Sequence, residues 1–166
     1  MPAVADSSVI IHLAAIAQLD LLRQLHGSLL VPPAVWDEVV VHGQGRPGEQ
    51  ELRQAVSDSW IAVAAPSPNV QMPAGAAPLH AGETEAILLA ASHPGSLLLM
   101  DEAAGRSAAS SLGVPVMGIV GLLVVAKRSG LVAELKPILE QLRSPGGFRL
   151  SADVIQRALA LVGEQP

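Results

Sequence analysis

Two short apolar runs, Ala3-Val4-Ala5 and Ser96-Leu97-Leu98-Leu99-Met100, each stop at an aspartate, Asp6 and Asp101. Neither run alternates with polar residues, so its strand must be covered on both faces, as the strands of a parallel sheet are. After Asp6, Ser7 or Ser8 caps a pattern of Leu, Ile and Ala at helical spacing that predicts a helix to about Leu25. Ser28–Val31, Trp60–Ala64 and Val114–Met117 read as three further strands. Helical patterns run from Ala34 to about Val41, Glu49 to Ser57, Gly82 to Ala91, Glu102 to Leu112, Gly118 to Ser129, Leu135 to Leu142 and Ala152 to Leu161. Residues 65–81, with four prolines, read as a surface loop. Strands alternating with helices predict an α/β fold: a mostly parallel central sheet of about five short strands, flanked by helices on both faces.

The 166 residues support one domain, 1–166. Half are apolar, so a core is available, and it must be aliphatic because the aromatic residues are Trp36, Trp60 and Phe148. That scarcity excludes recognition by aromatic stacking platforms. The chain has no cysteine, which excludes disulfides, zinc–thiolate sites and thiol catalysis and fits a reducing cytosol. The apolar stretch from Val114 to Ala126 is too short to cross a bilayer, and no secretory signal is visible at the N-terminus. These features predict a cytoplasmic protein with no membrane partner. The net charge of −5 argues against nucleic acid until it is mapped: residues 1–103 carry eleven acids against three bases, and residues 104–166 carry four against seven.

Ligands of open α/β sheets bind beyond the carboxyl ends of the strands. Asp6 and Asp101 both belong on that edge. Either alone is equally a helix cap, but two on one edge favour chemistry. Glu38 lies in an otherwise apolar helix beside Asp37, and on spacing alone a solvated helix face explains it better than a cleft does. Glu83 and Glu85 fall in the first turn of their helix, where the dipole favours acids, and their spacing separates their faces. Carboxylates converging without lysine or arginine would need a cation, and oxygen donors suit Mg²⁺ or Mn²⁺. The five histidines show no zinc spacing, and no P-loop, dinucleotide loop or nucleophile elbow is present.

Taken in order, VADSSVIIHLAAI, PPAVWDEVV, GETEAILLA, LLLMDEAAGRSAASSLGVPVMGIVGLL and AKRSGLV resemble the PIN-domain ribonuclease superfamily, in a prokaryotic branch close to the VapC-type toxins. The resemblance runs from about Val4 to Glu164. It implies a PIN-like fold with acids at one sheet edge that hold Mg²⁺ or Mn²⁺ and hydrolyse RNA. By position it makes Asp6, Glu38, Glu85 and Asp101 the catalytic and metal-ligating acids, with Ser8 and Glu102 in support. Glu85 stands where most PIN domains have Asp, and Asp-Glu-Ala-Ala replaces their Asp-x-Asp-Phe after Asp101. Arg106, Lys127 and Arg128 are candidate phosphate contacts, Arg106 being also placed to pair with Glu102 one turn earlier.

The expected function is a metal-dependent endoribonuclease acting on single-stranded RNA, the toxin of a toxin–antitoxin pair, restrained by a small antitoxin and working as a homodimer. The rival is a catalytically inactive PIN-like RNA- or protein-binding module, to which the scarcity of bases near the acids lends weight. A metal-dependent phosphatase is a third possibility.

Overall fold

The computed structural model describes residues 2–166. Five strands, β1 (Ala3–Ala5), β2 (Leu29–Val31), β3 (Ile61–Val63), β4 (Leu97–Leu99) and β5 (Val116–Met117), form one sheet in the order β3-β2-β1-β4-β5. Every pairing is parallel, with Ala5 opposite Leu99. Strand side chains alternate across the sheet. Val4, Leu98 and Met100 enter a core with Ala86, Ile87 and Ala109, while Ala3, Ala5 and Leu99 enter another with Ile10, Leu13 and Leu122. Both faces of β1 and β4 are therefore covered, which is why these two strand sequences do not alternate.

The helices are α1 (Ser7–Ala15), α2 (Asp20–His26), α3 (Pro33–Trp36), α4 (Glu49–Ser57), α5 (Ala81–Ala91), α6 (Ala103–Ser111), α7 (Ile119–Arg128), α8 (Leu135–Arg143) and α9 (Ala152–Leu161). The helix predicted to run unbroken to about Leu25 is two helices, bent by 118° at a corner where Ala17 takes φ 55°. The periodicity passes through this corner because Ile16 and Leu19 stay in the same core as both helices. No single helix is long and apolar enough to cross a membrane.

The helix predicted from Ala34 to Val41 begins as α3 and widens over Asp37–Val41 into a π-helical turn, with His42 N–H donating to Asp37 O at 2.8 Å. Such a turn changes which residues share a helix face. The proline-rich stretch is irregular through His80, and its Met72 and Leu79 pack against the second core.

The strand order fixes where a ligand can sit. The chain builds outward from β1 through β2 to β3, crosses back to β4 on the other side of β1, and continues to β5. The order therefore reverses between β1 and β4, and the crevice of such a sheet opens at that switch point.

Candidate functional site

Asp6 is the first residue beyond β1 and Asp101 the second beyond β4, so both stand at the switch point. Asp6 N–H pairs with Leu99 O at 3.3 Å, extending the β1–β4 ladder by one bond. The Asp6 carboxylate is also the N-cap of α1: Val9 N–H donates to its Oδ1 at 3.0 Å. With 2% of its surface exposed, Asp6 is a buried acid. Burial pushes its pKa up to about 7, the Val9 bond opposes the shift, and the negative charges of Asp101, Glu83 and Glu38 add to it. A capping role alone would leave the carboxylate solvated and acidic.

Asp101 accepts the Ile119 N–H between its two oxygens, at 3.2 and 3.3 Å, at the start of α7. Burial raises its pKa as well, against the Ile119 bond and the positive charges of Arg106 and His12. Gly118, at the N-cap of α7, makes this contact possible: a Cβ there would lie 2.5 Å from Asp101 Oδ1 and 3.4 Å from Arg106 Nη1. Arg106 is thus beside Asp101. It forms no ion pair with Glu102 among the described residues, correcting the helical pairing expected from sequence. The Glu102 side chain caps α6 instead, accepting Gly105 N–H at 2.9 Å.

Glu38, on the π-helical turn, accepts the Ser7 hydroxyl at 2.6 Å. The N-terminus of α5 closes over this pair, since a Cβ on Gly82 would be 3.0 Å from Glu38 Oε2 and 3.2 Å from Ser7 Oγ. The hydroxyl that supports the acids is therefore Ser7. Ser8, expected in that role, turns to His12, its Oγ 3.1 Å from Nδ1.

Glu85 is held elsewhere than expected. Its Oε2 accepts Ala34 N–H at 2.8 Å, at the start of α3. Pro32, at that N-cap, has no side chain able to cap the helix, so Glu85 supplies the missing acceptor from another element. Among the acids of α5, the one whose charge reaches Asp6 is Glu83, which also accepts His80 N–H at 3.1 Å. Lys127 and Arg128 are at the far end of α7, roughly 12 Å along its axis from Ile119. Lys127 bonds Ala133 O and pairs with Glu164, and Arg128 donates to Leu161 O. They tie the C-terminal segment to α7 and do not face the acids.

Asp6 and Asp101 thus stand at the β1–β4 switch point, the charges of Glu38 and Glu83 reach Asp6, and Ser7, Gly82, Gly118 and Arg106 lie beside individual acids of this set. Sequence reasoning missed Ser7 as the supporting hydroxyl and the two glycines, and it left open which of Glu83 and Glu85 is the third acid. A glycine forced by a neighbouring carboxylate has the same local signature as one in a loop. The donor set is oxygen-only, which fits a hard divalent cation and not zinc. Among the described residues no three His, Asp or Glu side chains stand close enough to hold one ion.

The family model for the PIN domain matches residues 2–164, nearly the whole chain, and the chain belongs to that family. PIN domains are typically nucleases and act on nucleic acid. No curated protein matches the chain.

Proposed function

We propose that this protein is a metal-dependent endoribonuclease that hydrolyses single-stranded RNA, with Asp6, Glu38, Glu83 and Asp101 as the acids of its centre. The observation that supports this most is the place of Asp6, an acid 2% exposed at the β1–β4 switch point, where burial pushes its pKa up to about 7 and the charges of Asp101, Glu83 and Glu38 add to the shift. Desolvation makes a buried carboxylate beside other acids, as Asp6 is, costly to ionise unless a cation balances it. Mg²⁺ or Mn²⁺ there would orient water and neutralise charge on an in-line phosphoryl transition state. Glu83 takes the place expected of Glu85 in this set, because the α5 acid whose charge acts on Asp6 is Glu83.

The protein's own groups divide the remaining work. Ser7 holds Glu38 in place through their hydrogen bond, and the α7 N-terminus holds Asp101. Arg106, exposed and beside Asp101, contacts the phosphate of the incoming strand. The composition leaves RNA to be held through its backbone, without Trp or Phe platforms. The toxin role, the small antitoxin, the homodimer and the cytoplasmic location belong to this proposal. They draw on the branch that the sequence resembles and on exposed apolar residues such as Leu161 and Val41, 57% and 48% exposed, which a partner would cover.

The absence among the described residues of three carboxylates within reach of one ion favours a second reading, an inactive RNA- or protein-binding module. Incubation of the partner-free protein with mixed single-stranded RNA, in Mn²⁺ or in EDTA, separates the two. Cleavage in Mn²⁺, lost in EDTA and in folded Asp6→Asn and Asp101→Asn variants, supports the nuclease. Absence of cleavage, together with no Mn²⁺ binding in calorimetry, supports the module.

A further inference from the structure

Beside Glu38 lies an open cleft of about 390 Å³, lined also by Asp37, His42, His80 and Gly82. The cleft shares Glu38 with the acid centre proposed above. Its functional groups are unlike a phosphate site: no lysine or arginine lines it, and two carboxylates do. Glu38 is engaged by Ser7. Asp37 is exposed, and among the described residues its carboxylate makes no hydrogen bond or ion pair.

An ionised carboxylate accepts hydrogen bonds through two adjacent oxygens and donates none. Of the four RNA bases, guanine alone presents two neighbouring donors, N1–H and N2–H, on its Watson–Crick edge. Adenine, cytosine and uracil each set an acceptor beside their donor, which a carboxylate repels. His42 and His80 provide flat rings on which an unstacked base can lie, a role open to histidine as to the larger aromatics. The volume exceeds that of a purine base and leaves room for its ribose.

We propose that this cleft binds the guanine of a nucleotide flanking the cleaved phosphodiester, with Asp37 as the residue that determines specificity. The proposal rests on the ribonuclease reading for its place in catalysis, but base binding is measurable without turnover. GMP, AMP, CMP, UMP and inosine monophosphate, which lacks the N2 amino group, are titrated into metal-free protein while the His42 and His80 imidazole resonances are followed by NMR. GMP is expected to bind at least ~10-fold more tightly than the others, the scale of one bidentate contact, and to shift both rings. Asp37→Asn, which replaces one acceptor with a donor, is expected to remove that preference, and His80→Ala to weaken every nucleotide.

A parallel cleavage assay uses single-stranded RNAs differing at one position, and reads the ratio of cutting beside G to cutting beside A. Equal affinity for GMP, AMP and inosine monophosphate, or a preference unchanged in Asp37→Asn, overturns the proposal. Cleavage without base preference sinks the cleft assignment and leaves the nuclease standing. A GMP preference without any cleavage does the reverse.

Discussion

Ser7 Oγ donates to Glu38 Oε2 at 2.6 Å, joining the first residue of α1 to the π-helical turn that follows β2 and α3. The two are 31 residues apart in the chain, and Ser7 is buried. A short hydrogen bond to an ionised acceptor in this setting both positions the carboxylate and stabilises the fold, by about 1.5–3 kcal/mol. Ser7→Ala is therefore expected to lower the urea midpoint and to reduce metal-dependent cleavage together. Ser8→Ala, which removes only the part-buried contact with His12, is expected to change cleavage far less. Equal effects of the two substitutions on cleavage would reverse the assignment of the supporting hydroxyl.

Asp6 gives the protein a pH dependence of stability with a definite sign. Its folded pKa of about 7 lies above the ordinary 3.8. Between those values the folded state binds more protons than the unfolded state, so stability falls as pH rises through that window. The upward shift of Asp101 acts in the same direction. Metal-free protein is expected to lose on the order of a few kcal/mol between pH 4 and pH 7 from Asp6. Asp6→Asn keeps an N-cap acceptor for Val9, and so is expected to flatten the profile and raise Tm at pH 8. Thermal melts across pH, without divalent ions, read both outcomes.

The same shift predicts proton release on metal binding. Below pH 7 a divalent cation at Asp6 must displace the proton that most of the buried carboxyls carry. Mn²⁺ affinity is expected to rise with pH through about 7 in the wild type. Calorimetry in buffers of different ionisation enthalpy is expected to register a released proton. A pH-independent affinity would remove Asp6 from the ligand set.

The two glutamates of α5 should separate cleanly. Glu85→Gln weakens the acceptor of Ala34 N–H and is expected to cost about 1 kcal/mol of stability with a small loss of cleavage. Glu83→Gln removes a negative charge that bears on Asp6. It is expected to lower the Asp6 pKa, followed by carboxyl NMR, and to reduce cleavage more than Glu85→Gln does. The opposite ranking would restore Glu85 as the third acid.

Gly118→Ala should impair the site ahead of the fold. Its Cβ would stand 2.5 Å from Asp101 Oδ1, forcing the carboxylate or the α7 N-terminus to move. Cleavage is expected to fall at least ~10-fold, as a misplaced catalytic group implies, with far-UV circular dichroism retained. Lys127→Ala and Arg128→Ala, by contrast, are expected to lower Tm slightly and leave RNA binding unchanged, since both side chains hold the C-terminal segment.

The reach of the sequence can be judged from particular residues. Asp6 and Asp101 announced themselves because an unalternating apolar run that stops at an acid has one natural place in a parallel sheet. Glu83 and Glu85 did not separate, because both suit a helix first turn and their orientation depends on what packs there. The unpaired N–H groups at the start of α3 claimed one of them. Ser7 and Ser8 differ in the same way. Adjacent helical residues point about 100° apart, and the sequence does not say which one meets the turn carrying Glu38.

What the sequence determined by itself is the alternation of strand and helix, the burial of the sheet on both faces, and the membership of two aspartates in its carboxyl edge. Those features are local: they follow from residue spacing and from where an acid interrupts an apolar run. Only the tertiary structure decided that β4 lies beside β1, that Glu38 is held by Ser7, and that two glycines admit the carboxylates. Each of these is a contact between distant segments, fixed by packing around a shared core that no short stretch of sequence encodes. The acids were legible one at a time; their meeting at one switch point is a property of the strand order.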